Sequence, residues 1–272
     1  NIKINKVLMT IPSYYSEFLI TEGKIDIINE SSMINGDDIV RVLQACVYNK
    51  IPNNKELVNI TPIEFNANGK KIKDPKGLES SCLECKALIS LVPKKNVYTA
   101  VSLLENIGVS IVDINFGGVS DYYEFKNKEL DSKNVSVINI GEEKTEVSIF
   151  KKGVMVDTEI IEIGGKSIDR DICYIYDINK VEARKLKEKF ALASKRNAST
   201  SWSEDVITNN DETIKINQYE ISEIISSRIK EILDLAKKQI NLLTKMEISY
   251  IIITGGTTEA NDFNLIVDEI FG

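Results

Sequence analysis

Short apolar runs bounded by Gly, Pro, Asn or Asp alternate along this chain with stretches in which apolar residues recur every three or four positions, predicting strands and helices in turn. Lys3 to Ile11 reads as a strand with its apolar part at Val7 to Pro12, and Ile25 to Ile28 reads as another. Between them Tyr14, Tyr15 and Phe18 give strand-like aromatic content around a turn at Glu22-Gly23. Asn35-Gly36-Asp37-Asp38 is a helix start, and Ile39, Val40, Leu43 and Val47 keep helical spacing until Ile51-Pro52. Leu57 to Pro62 and Ile63 to Phe65 are two short apolar segments, a turn follows at Asn66 to Gly69, and Leu83 to Val92 is a longer strand. A helix opened by Pro93 to Asn96 puts Val97, Val101, Leu104 and Ile107 on one face and ends at Gly108. A strand at Val109 to Ile114 and a helix start at Gly117 to Tyr123 come next.

The second half opens on three strands in a meander. Val135, Val137 and Ile138 lead into the stretch Asn139 to Thr145, Val147 and Ile149 lead out of it, and Val154 to Ile163 runs into Gly164-Gly165. Ser167 to Asp171 starts a helix, Val181 to Leu192 is a basic helix, and Ser194 to Asn217, rich in Ser, Thr, Asn and Asp, is the least organised part and predicts a short hairpin. The longest helix signal is Tyr219 to Leu243, with Ile221, Ile224, Ile225, Ile232, Leu235, Ile240 and Leu243 in one stripe. Tyr250 to Ile253 is a buried-type strand, Thr254-Gly255-Gly256-Thr257 a tight turn, and Asn261 to Ile270 a closing helix.

Composition narrows the function. With 272 residues, 43% hydrophobic and 28% charged, the chain can bury one core or two. A net charge of −7 and the lack of a basic patch argue against nucleic acid, whose phosphates are bound through clustered Lys and Arg. There is no run of about 18 apolar residues and no charged-then-apolar start, so the expected compartment is the cytoplasm. Cys82 and Cys85 are the one close cysteine pair, with neither a second pair nor any histidine to complete a zinc site, so no metal ligands are assigned. The absence of histidine also removes the commonest general base of triad hydrolysis.

The candidate chemistry lies in the hairpin Asn139 to Thr145. Backbone amides at the tip of such a turn can converge on an anion where small residues allow close approach, and here Gly141 is the small one. Glu142 and Glu143 then stand where phosphate oxygens would come. Two unit charges about 5 Å apart at an effective dielectric near 20 repel by roughly 3 kcal/mol, about two orders of magnitude in affinity. Lys144 or a bound magnesium would offset part of this. Read without context, the stretch is an ordinary hairpin with a solvated, charged turn.

The order of these elements resembles the second half of an actin-like ATPase fold, an α/β architecture shared with chaperone ATPases and sugar kinases. The chain is identified as a member of the FtsA family of bacterial cell-division proteins. The resemblance runs over nearly its whole length: Gly36 to Val42, Asn59 to Phe65, Asp74 to Leu78, the hairpin, Ile163 to Ile172, Val181 to Lys187, Glu220 to Ile225 with Arg228 and Glu231, and Ile253 to Gly256. Residues 6–92 resemble the extra subdomain, 1C, that sets FtsA apart from other actin relatives. The implied division is 1–5 as a remnant of subdomain 1A, 6–92 as 1C, 93–130 as the second part of 1A, 131–176 as the first part of 2A, 177–230 as 2B and 231–272 as the second part of 2A. The start at Asn1 rather than Met, and the stop at Phe271-Gly272, suggest a fragment of the family fold.

The resemblance implies ATP with magnesium between two lobes. Asn139, Gly141, Glu142, Glu143, Lys144 and Thr145 of the hairpin would face phosphate; Gly164 and Gly165 would belong to the same cofactor site; Glu182 and Lys185 would point toward ribose or base; and Gly255, Gly256 and Thr257 would lie near adenosine. Most of the family begins this hairpin with Asp, and Asn139 removes that carboxylate, expected to hold a magnesium-bound water, so hydrolysis would be slow or absent. It also implies an adaptor that polymerises, binds the tail of the tubulin-like FtsZ around Ile224, Arg228 and Glu231, and reaches the inner face of the cell membrane at the division site through a C-terminal amphipathic helix that these residues do not include. A basic side chain beside an apolar edge such as Ile224 suits an acidic peptide with apolar anchors. A nucleotide-free scaffold of the same fold, and an actin-superfold kinase or ATPase, remain the alternatives. Glu182 with Lys185, and Arg228 with Glu231, are also readable as plain helical charge pairs.

Overall fold

The structure, a computed structural model, describes residues 4–28 and 32–272; Lys3, where the first predicted strand begins, lies outside them. The chain divides into two compact units, Asn1–Ser120 and Asp121–Gly272. In the first, β1 (Lys6–Ile11), β2 (Glu17–Asp26), α1 (Gly36–Val47), β3 (Lys55–Ala67), β4 (Lys70–Ile72), β5 (Cys82–Pro93), α2 (Lys94–Asn106) and β6 (Ser110–Phe116) follow one another, and α3 (Gly117–Phe125) carries the chain into the second. β2, β5, β3 and β4 form an antiparallel sheet in that order, while β1 pairs in parallel with β6. α1 starts in a capping box, the Asn35 side chain accepting from the amides of Asp37 and Asp38 while Asp38 accepts from the Asn35 amide. It buries Val42 and Cys46 against Phe65, Leu83 and Cys85 of the sheet. Burial pushes the Cys85 thiol up to about 12 and raises that of Cys46, whose Sγ donates to the Cys85 carbonyl.

Two sequence expectations change in this unit. Gly23 does not make a turn: β2 runs through it without a break. A Cβ there would lie 2.6 Å from the Cys46 amide nitrogen and 2.7 Å from the Val42 carbonyl, so glycine is required because the α1 backbone crosses directly over the strand. Likewise Leu57 to Pro62 and Ile63 to Phe65 are one strand, β3, whose register on β5 shifts between Pro62 and Glu64, a bulge that accommodates the proline. Gly23→Ala is expected to cost about 2 kcal/mol by overpacking. Urea denaturation beside Gly36→Ala, where a Cβ meets nothing within 4 Å, checks it; equal midpoints would refute the close-approach account.

The second unit contains β7 (Asn134–Ile140), β8 (Thr145–Lys151), β9 (Val154–Ile161), α4 (Lys166–Tyr176), α5 (Lys180–Phe190), β10 (Ser203–Ile207), β11 (Thr213–Asn217), α6 (Gln218–Leu243), β12 (Tyr250–Thr254) and α7 (Phe263–Phe271). The meander β7-β8-β9 is antiparallel, and β12 adds to its open edge parallel to β7. β10 and β11 form the hairpin expected in 194–217. Alternation along β7 and β8 sends Ile138, Ile140, Val147 and Ile149 to one face, where they meet Ile168 and Ile172 of α4 and the Ile221, Ile225, Ile229 and Ile232 stripe of α6. On the other face Tyr122 of α3 stacks on Phe150 at 4.2 Å between centroids and donates to Asp131. α6 also begins in a capping box, Asn217 with Glu220, worth about 1 kcal/mol at the start of the longest helix. Among the described residues, no helix is long and apolar enough to cross a membrane.

Candidate functional site

Three tight turns of the second unit meet at one place. The β7–β8 turn is closed by the Gly141 amide donating to the Lys144 carbonyl at 2.9 Å. It lies on the start of α4, where the Gly165 amide donates to Gly141 O at 2.9 Å and the Lys166 amide to Glu142 O at 2.7 Å. The third turn, at 255–257, sits over Gly165, whose Cβ would fall 2.8 Å from Thr257 Oγ1. Gly164 and Gly255 are required by this contact of backbones. A Cβ on Gly164 would come within 2.5 Å of Gly141 O, and one on Gly255, at φ +103°, within 2.3 Å of Ile140 O.

Beside the junction is a cavity of about 360 Å³. Gly141, Glu142, Gly165, Gly256 and Thr257 line one side, Arg184, Lys187 and Glu188 of α5 another, and Ile168, Ile225 and Ile229 form an apolar floor. It is large enough for a small polar molecule with a flat apolar part. Of the residues singled out from sequence, five therefore line this cavity. Gly164 and Gly255 hold the turns together behind it, and Thr145 is fully buried, its hydroxyl donating to Ile163 O. Lys144 and Glu143 do not line it, and neither does Asn139, which hydrogen-bonds Asp121. The Gly141 amide is committed to the turn, so the expected anion concavity at the tip lacks that donor.

The charges at the tip have partners on α4 and α5. Glu143 is paired with Lys166 at 2.5 Å, and that ammonium holds its carboxyl below the usual range. Glu142 faces Arg184 Nη2 at 3.6 Å. Arg184 and Lys166, more than 20 residues away in each case, thus supply a cation to each carboxylate. Deeper in, the Lys187 ammonium lies 2.6 Å from Asp169 Oδ1 and 3.3 Å from the Gly165 carbonyl. Its side chain is 20% exposed and that of Asp169 8%.

Glu182 and Lys185 are not brought to the cavity; they pair with each other at 2.7 Å on the outside of α5. The reason is the helical period. Ala183, Leu186 and Phe190 are the buried stripe, and the positions flanking it on the cavity side are 184, 187, 188 and 191. The apolar stripe was visible in the sequence and would have pointed to Arg184, Lys187 and Glu188.

Ile224, Arg228 and Glu231 do come together, in a shallow groove with Asp171, Tyr174 and Ile175 of α4. The Arg228 guanidinium, expected to meet an acidic peptide, is paired within the chain. Nε and Nη2 each contact Asp171 at 2.7 Å, and Nη1 donates to Glu231. The Asp171 hydrogen bonds raise its pKa further. Asp171 and Glu231 meet Arg228, Glu223 is paired with Lys195 at 2.7 Å, and the apolar edge of the groove includes Tyr174, 90% exposed.

The family model described as cell division protein FtsA matches residues 136–264, and that of the SHS2 domain inserted in FtsA matches residues 15–90. The chain belongs to the FtsA family. It is 26% identical over 275 residues to the cell division protein FtsA of Enterococcus hirae, covering 100% of this chain and 62% of that protein. The Bacillus subtilis FtsA is 24% identical over 191 residues, 70% of this chain and 43% of that one. The chain thus spans about half the length of the curated relatives it matches. Among solved structures, MreB5 of Spiroplasma citri bound to AMPPNP matches 66% of this FtsA-family chain and 58% of its own, with a TM-score of 0.56 and 19% identity. A PilM–PilN type IV pilus biogenesis complex covers 98% of this chain and 67% of its own at TM-score 0.56 and 12% identity. The fold is actin-like, as the order of elements implied.

Proposed function

We propose that this FtsA-family chain is the part of an actin-like cell-division adaptor that takes up ATP, with magnesium, in the cavity beside the 141–144 turn. The observation that carries the reading is the convergence of the three turns on a cavity with Arg184 and Lys187, beside Glu188, at one wall and three isoleucines as its floor: phosphates suit the two cations, a purine the isoleucines. MreB5, bound to AMPPNP, has the same fold. In this reading residues 6–92 are subdomain 1C, 93–130 belong to 1A, 131–176 and 231–272 to 2A and 177–230 to 2B. Nucleotide closes the fold and favours subunit-to-subunit contact; turnover is not its output. The groove at Ile224, Arg228 and Glu231 holds the FtsZ tail through apolar anchors against Tyr174 and Ile175, and the filament is tied to the inner face of the membrane at the division site.

The test is binding of a fluorescent ATP analogue with magnesium to this chain, beside Glu142→Gly/Glu143→Gly. Because Arg184 and Lys166 already neutralise the two carboxylates, we expect micromolar binding by the wild type and a change of under about tenfold in the variant. No binding by the wild type, with gain in the variant, would overturn the reading in favour of a nucleotide-free scaffold. That alternative draws on one observation: the first two amide groups of the α4 start, Gly165 and Lys166, are spent on the hairpin's own carbonyls.

A further inference from the structure

Asn139 and Thr254 are the last residue pair of the parallel strands β7 and β12. The crevice beyond the carboxyl ends of parallel strands is where open α/β sheets bind their ligands. Both side chains donate to one oxygen of one carboxylate, the Asn139 amide to Asp121 Oδ2 at 2.7 Å and the Thr254 hydroxyl to the same atom at 3.3 Å. Asp121 is half-buried on α3. Its other oxygen, Oδ1, has no hydrogen-bond or ion-pair partner among the described residues. Glu142 and Glu143, the other carboxylates at this end of the hairpin, are neutralised by Arg184 and Lys166. Asp121 is held by neutral donors alone, the Asn139 amide and the Thr254 hydroxyl.

We propose that Asp121 supplies the carboxylate toward the hydrated divalent cation that accompanies a polyphosphate, the role Asn139 cannot fill. The proposal rests on the nucleotide reading above. Magnesium retains several waters and is bound through one or two carboxylates together with phosphate oxygens, so a single oriented carboxylate is a sufficient protein contribution. The surroundings fit it: the two neutral donors fix Oδ2 so that Oδ1 is left to accept from cation-bound water. The Asn139 amide orients the Asp121 carboxylate of the facing helix.

The experiment titrates this chain with a fluorescent ATP analogue in magnesium and in EDTA, for the wild type and Asp121→Asn. The expected result is affinity about tenfold tighter with magnesium for the wild type, no difference for the variant, and variant affinity in EDTA at or above that of the wild type. With manganese in place of magnesium, the electron paramagnetic resonance signal of the metal–nucleotide broadens with wild type and not with the variant. A variant that keeps the wild-type ratio overturns the proposal. Equal wild-type binding in magnesium and EDTA overturns it while leaving the nucleotide reading intact, and no wild-type binding in either overturns both. Should Asp121→Asn fail to fold, Asp121→Ser removes the same charge with a smaller side chain and is read by the same ratio.

Discussion

Gly255→Ala is expected to lower the stability of the second unit by about 3–5 kcal/mol, from roughly 1–3 kcal/mol for a side chain at a left-handed φ and a similar amount for overpacking. The glycine sits at φ +103°, and its Cβ would lie 2.3 Å from Ile140 O and 2.7 Å from Ile140 C, both backbone atoms of β7 that cannot move without opening the β7–β12 pair. Gly256, next in sequence, has nothing within 4 Å of a Cβ position and no positive φ. Gly256→Ala is therefore expected to keep the wild-type urea midpoint and to act, if at all, on ligand affinity, since Gly256 lines the cavity. Equal destabilisation by the two substitutions would refute this division of labour.

Lys187→Met is expected to cost about 3 kcal/mol, because it leaves Asp169, 8% exposed, with a charge that has lost its 2.6 Å partner. Removing one member of a buried pair typically costs 3–5 kcal/mol, and the lower end applies because the lysine is itself 20% exposed. The same substitution removes a cation from the cavity wall, so nucleotide affinity should fall with stability. Adding Asp169→Asn to Lys187→Met separates the two effects. It should recover most of the stability, as a neutral amide tolerates burial better than an unpaired carboxylate, and none of the affinity. Chemical denaturation and analogue binding on the single and double variants measure both. A single variant with an unchanged midpoint would show that Asp169 does not depend on Lys187.

Local pattern and tertiary proximity contributed differently to these expectations. Strand alternation at Val135 to Ile149 and the isoleucine stripe of α6 were legible because side-chain direction repeats every two or every 3.6 residues whatever the rest of the fold does. Turn glycines were legible as glycines, but not their purpose. Gly23 read as a turn and is a gap for a helix, while Gly255 read as a ligand contact and is a gap for a strand. In both cases the atom that would clash comes from another element, and no local period encodes it.

From the sequence alone came the element order, the actin-like fold and the FtsA family, since each depends on local periodicity or on the order of short motifs. Which charges meet was decided only by the tertiary structure. Glu142 with Arg184, Glu143 with Lys166, Arg228 with Asp171, and Asp121 with Asn139 and Thr254 join residues 18 to 133 positions apart. A coulombic or hydrogen-bonding contact depends on a few ångströms of separation, and those ångströms are set by how β7, β12 and helices α3 to α6 pack rather than by any spacing along the chain.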